Sequence, residues 1–132
     1  MEALEPGGAR QLDDAQGEEW FDWFNRAVPW NWMRIDWNRV EVFRRVKTAS
    51  VLDSLRELGI PDENSQVLIL WDEASLPVVE TNLENVLRHI ADVTAVSVDT
   101  WIVDSQRRFV LEHYHEDGWD DHTLALVPGT RV

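Results

Sequence analysis

The side chains with the clearest capacity for chemistry lie between positions 113 and 122: His113-Tyr114-His115-Glu116, then Asp120, Asp121 and His122. Alternation along an extended strand sets His113 and His115 on one face, about 7 Å apart at the backbone, close enough to share a metal ion. With His122 and nearby carboxylates they would suit a metal-dependent hydrolase or lyase. A His-x-His pair without a third placed ligand is a weak metal signature. Phe109 and Leu111 continue the same face, so the two histidines read equally well as the rim of an apolar strand. The sequence has no glycine-rich phosphate loop, no GxSxG elbow and no cysteine nucleophile. The carboxylate pairs Asp72-Glu73, Glu116-Asp117 and Asp120-Asp121 are adjacent in sequence, which does not make them converge in a cleft. We expect no enzyme, no cofactor and no dedicated metal site.

Charge carries more information than any of these motifs. The net charge is −13 over 132 residues, and from Pro61 onward fourteen acids face four arginines. Residues 1–20 hold six acids and one arginine, whereas residues 21–60 hold five acids and seven bases. An asymmetry of this kind speaks about partners: it repels phosphate backbones and anionic lipid, and it draws in a basic protein by electrostatic steering. Nucleic acid and membrane are therefore not expected as partners. The absence of cysteine excludes a disulfide framework and thiolate metal sites. The acidic N-terminus lacks the apolar run of a signal peptide, and no stretch approaches the roughly 20 apolar residues of a membrane span, so a cytoplasmic location is expected.

The elements that must position these side chains follow from periodicity. Residues 1–17 read as a flexible acidic tail and 18–132 as a single domain. Glu18–Val28 has helical spacing at Trp20, Phe21, Phe24 and Ala27 and stops before Pro29. Asp36 can cap a helix over 37–47 whose stripe is Val40, Phe43 and Val46. A further helix starts at Ser50 and ends at Gly59, with Ile60 placed to close a hydrophobic contact beyond it. Val67–Trp71 is a continuous apolar run of strand length, suited to burial on both faces. Thr81 and Glu84 form a capping-box pair for a helix carrying Leu83, Val86, Leu87 and Ile90. Val96–Val103, the turn 104–107 and Arg108–His115 make a hairpin, with Thr123–Val127 as a last strand. The expected class is α+β: N-terminal helices packed on a small sheet, with strand–helix–strand–strand–strand order. Trp20, Trp23, Trp30, Trp32 and Trp37 are expected mainly to pack helices onto that sheet, with Trp71 in its core.

Three segments, PWNWMRIDW at 29–37, VLILWDEASLPVVET at 67–81 and DVTAVSVDTWIVDSQRRFVLEHYHEDG at 92–118, resemble the small acidic immunity proteins of contact-dependent growth inhibition and related polymorphic toxin systems. The resemblance implies an antitoxin that binds a cognate toxin domain, often a nuclease, and occludes its active site. The charge pattern separately nominates a toxin-binding face made of Asp72, Glu73, Asp99, Trp101, Asp104, Glu112, Tyr114, Glu116, Asp117, Asp120 and Asp121. A one-to-one complex with a basic toxin domain is the expected function. A nucleic-acid-mimicking enzyme inhibitor and the His113/His115 metal enzyme are the alternatives.

Overall fold

The structure, a computed structural model, describes residues 8–32, 34–60 and 65–128. Its frame is one antiparallel seven-stranded sheet. In chain order the strands are β1 (Ala9–Gln11), β4 (Phe43–Lys47), β5 (Gln66–Trp71), β6 (Val79–Asn82), β7 (Thr100–Asp104), β8 (Phe109–His113) and β9 (Asp121–Leu126), arranged β1-β6-β5-β7-β8-β9-β4. The two-residue strands β2 (Trp30–Asn31) and β3 (Arg34–Ile35) form a separate hairpin. Helix α1 (Asp14–Ala27) packs on one face of the sheet, and α2 (Val51–Glu57), α3 (Leu83–Arg88) and α4 (Ile90–Thr94) contribute to the core on the other.

Because both faces are covered, the central strands bury side chains in both directions. Val67, Ile69 and Trp71 of β5 join the core under α2, α3 and α4, while Leu68 and Leu70 join the core under α1. The apolar run at 67–71 is thus the buried strand its composition indicates. The Trp71 indole N–H reaches across to the Val93 carbonyl at 2.9 Å.

The expected architecture is corrected on two counts. The sheet is large rather than small, and the helices do not form an N-terminal layer upon it: one helix precedes β4, and three short ones are interleaved with the strands. After Asp36, whose carboxylate accepts the Asn38 N–H at 3.2 Å, the chain makes a single 3-10 turn over Trp37–Arg39 and then extends into β4 instead of continuing as a helix. Residues 43–47 pair with β9 from Phe43↔Ala125 to Lys47↔Asp121. This tertiary pairing overrides a helical spacing of β-branched valines that was weak support for a helix. Thr81 likewise belongs to a strand, β6, and the cap of α3 is Asn82, which accepts the Asn85 N–H at 2.7 Å.

Within the stretch read as a tail, Ala9–Gln11 pair with β6 and α1 begins at Asp14. Asp13 and Gln16 form a capping box, each side chain bonding the other's backbone N–H. Gly17 lets α1 approach the sheet: a Cβ there would lie 3.3 Å from a Val78 methyl. The start of α2 falls at Val51, and its end is a Schellman motif. Ile60 N–H bonds the Leu55 carbonyl at 2.8 Å, Gly59 N–H bonds Arg56 at 3.0 Å, and Gly59 has φ 93°. Residues 61–64, which follow it, lie outside the described residues.

Candidate functional site

The hairpin acids nominated from the sequence turn inward. Asp99, Asp104 and Glu112 are each 0% exposed. Burial of an ionised carboxylate demands donors, and each has them. Glu112 is the most heavily bonded: Arg34 and the Trp37 indole N–H reach one oxygen at 3.2 and 3.1 Å, and Ile35 N–H and the Trp101 indole N–H reach the other, both at 3.0 Å. It clamps the β2–β3 hairpin and the 3-10 turn to the sheet. Asp104 accepts Arg108 Nε at 2.6 Å, and Asp99 accepts the His115 N–H at 2.8 Å with His115 Nδ1 at 3.0 Å. Trp101 is buried against Phe24 and Trp30, with ring centroids 5.9 and 5.4 Å away.

The loop acids are also engaged. Asp117 pairs with Arg45 at 2.8 Å and Arg34 at 3.4 Å, and Asp121 pairs with Lys47. Asp120 accepts both the backbone N–H and the hydroxyl of Thr48, which holds its carboxyl below the usual range. Glu116 remains exposed, and Tyr114 lies half-buried under the Arg34 guanidinium at 4.1 Å.

The histidines do not gather as the sequence suggested. Strand β8 ends at His113, and His115 lies in the following turn against Asp99. His113 instead meets His122, with Nδ1 atoms 3.2 Å apart, and His122 Nε2 lies 2.8 Å from the Thr48 hydroxyl. Since Thr48 donates to Asp120, the chain of donors runs His113, His122, Thr48, Asp120, with both imidazoles neutral. Burial, and then the charge of His113, push His122 down to about 4; burial likewise lowers His113. Among the described residues no group of three or more His, Asp or Glu side chains could hold a metal ion.

A further group of carboxylates lies around a cleft of about 790 Å³ between α1 and the loop joining β5 to β6. Its rim carries Asp13, Asp14, Glu18, Asp72 and Glu73, and no basic residue lines it. Among the described residues none of these five carboxylates is in an ion pair. Its walls include Phe21, Phe24, Trp30 and Trp101. Partial burial, then the charges of Asp99 and Glu73, raise Asp72 above the ordinary carboxylate range. At the mouth stands Trp32, 94% exposed and with φ 61°, whereas Trp20, Trp23, Trp30 and Trp37 pack against the core under α1.

This cleft includes Asp72, Glu73 and Trp101 of the residues nominated from the sequence and adds Asp13, Asp14, Glu18 and Trp32. The added acids carried a legible signal. The Asp13/Gln16 capping box starts α1 four residues earlier than the Glu18 start, and i,i+4 spacing then sets Asp14 and Glu18 on one helix face.

The family model described as "CdiI immunity protein EcoliA0-like" matches residues 1–119. The chain belongs to this family of CdiI immunity proteins. The family carries an immunity role and a cognate toxin as partner, in line with the resemblance read from residues 29–37, 67–81 and 92–118. Among the curated proteins, none matches the chain. Among the described residues no helix is long and apolar enough to cross a membrane.

Proposed function

We propose that this immunity protein acts in the cytoplasm by binding a basic toxin domain, a nuclease, one-to-one, and that it blocks the toxin's phosphate-binding surface with its own carboxylates rather than by catalysis. The observation that carries this reading is the segregation of charge. Arginine and lysine already neutralise Asp104, Glu112, Asp117 and Asp121, while among the described residues the five carboxylates around the α1 cleft are in no ion pair.

Burial first, and then the charges of Asp99 and neighbouring Glu73, raise the proton affinity of Asp72. A nuclease holds its substrate with lysine and arginine, so carboxylates presented to that surface replace phosphate and form charge-assisted hydrogen bonds. The binding face is therefore centred on Asp72, Glu73 and α1, with Trp101 beneath it. Asp99, Asp104 and Glu112 support the scaffold from inside.

The test is to mix the protein with the cognate toxin domain and measure complex mass and association rate across a salt series. A one-to-one complex whose association slows steeply with salt supports the reading. Failure to co-elute at low salt, or toxin activity unaffected by a stoichiometric excess, removes it.

A further inference from the structure

We infer that the cleft between α1 and the β5–β6 loop takes an arginine side chain of the toxin, laid over the indole of Trp30, which Trp101 backs from beneath, between the carboxylates of Glu18 and Asp72, with Trp32 packing on the toxin surface beside it. The inference rests on the immunity reading above and names the chemistry of the contact that reading requires.

Three features point to arginine. The first is volume: about 790 Å³ admits a long side chain with some flanking backbone, within the range of ligand-sized pockets. The second is the pairing of wall and rim. Aromatic walls alone would suit an apolar anchor, and carboxylates alone would suit any cation. Indole faces together with carboxylates suit a planar guanidinium, which stacks on a ring while its N–H groups fork onto carboxylate oxygens. Lysine, a compact and strongly hydrated charge, gains less from the aromatic wall.

The third feature is Trp32. An indole 94% exposed on a left-handed backbone is costly in the free protein, and it stands at the mouth of a charged cleft. Tryptophan is the side chain most enriched among interface anchors, and its burial against a partner recovers what the free state loses. The same chain already shows the stacking it would offer: Arg107 lies 5.0 Å from the rings of both Trp20 and Trp23, and Arg34 lies 4.1 Å from Tyr114.

The experiment is calorimetric titration of the full chain with the cognate toxin domain, using three variants of the immunity protein. Glu18→Gln/Asp72→Asn removes the carboxylates, and affinity should fall about 30-fold or more with a shallower salt dependence. Trp32→Ala should cost about tenfold or more. The control Glu84→Gln/Asp92→Asn removes two exposed acids from α3 and α4 on the opposite side of the sheet, and should change affinity less than about threefold. Alanine substitution of each surface arginine of the toxin should then reveal one whose loss matches that of Glu18→Gln/Asp72→Asn and is not additive with it.

Equal losses in cleft and control variants, or no toxin arginine coupled to the cleft, overturn the inference while wild-type binding leaves the immunity reading standing. A wild-type protein that does not bind the toxin overturns both. Thermal melts of each variant separate loss of contact from loss of fold.

Discussion

Glu112 shows how one residue can look like a binding group in sequence and serve as a scaffold in space. Its carboxylate satisfies four donors from three separate segments, so in the free protein it works as a buried counter-charge. Glu112→Gln keeps the shape but turns an amide N–H₂ toward donors, and should destabilise the fold by about 2–4 kcal/mol in urea titration. One of the two indoles, that of Trp37 or that of Trp101, loses its acceptor in the same change, so near-ultraviolet circular dichroism should alter with it.

His122 sets the pH response at the same scale. Its ordinary value of 6.5 falls to about 4 in the fold, through burial first and the charge of His113 second. Protonation would set an Nδ1–H against the His113 N–H and break that link, leaving the His122 Nε2–H bond to Thr48 and the Thr48 bond to Asp120 in place. A lowered histidine favours the fold while neutral, so this contribution is complete above pH 6.5 and is lost as pH falls toward 4. It amounts to at most about 3 kcal/mol. Lys47, Asp120 and Asp121 surround the same imidazole. Both aspartates are lowered, by hydrogen bonds from Thr48 and Lys47, so their own contribution disappears only below the usual carboxylate value of 3.8. His122→Gln should flatten the limb between 6.5 and 4 in stability measured against pH and leave the more acidic limb in place.

At the scale of elements, terminal signals were more legible than interiors. The Gly59–Ile60 ending of α2 and the turn at 104–107 stand where their residues put them, because a left-handed cap and a tight turn depend on local backbone energetics. Gly59→Ala should therefore cost about 1 kcal/mol, read from the urea midpoint, since φ 93° disfavours any residue with a Cβ. The strand identity of 43–47 was not legible. Val40, Phe43 and Val46 fit a helical stripe, and only the partner strand β9, some eighty residues away in sequence, decides for extension. The same holds for Thr81: Thr-x-x-Glu is a sound capping signal, yet its residue pairs with β1 and β5 while Asn82 takes the cap.

For the whole molecule, charge is distributed in two ways. Three acids of the C-terminal half are neutralised by the basic stretch at 34–47: Arg34, Arg45 and Lys47 are the internal counter-ions of Glu112, Asp117 and Asp121. The net −13 left over is self-repelling in the free protein. Raising salt from about 20 mM to about 500 mM should thus stabilise the free protein in urea while slowing its association with the toxin, two opposite responses from one charge distribution. A free protein that loses stability over the same range would show that its internal pairs outweigh the net repulsion.

The sequence by itself determined the sign and amount of charge, on which the proposed basic partner rests, and the presence of a strand buried on both faces, through the unbroken apolar run at 67–71. It also supplied enough residues in PWNWMRIDW and the later segments to be read as an immunity protein, and the family match to residues 1–119 agrees. Only the tertiary structure decided which acids remain free to meet that partner. Counter-charges come from residues distant in sequence: Arg34 and Glu112 are 78 positions apart, and Lys47 and Asp121 are 74. Charge counted along a chain cannot register such cancellation. Folding pairs Asp104, Glu112, Asp117 and Asp121 with arginine or lysine and, among the described residues, leaves Asp13, Asp14, Glu18, Asp72 and Glu73 outside any ion pair, so the unpaired carboxylates of one cleft come from both ends of the chain.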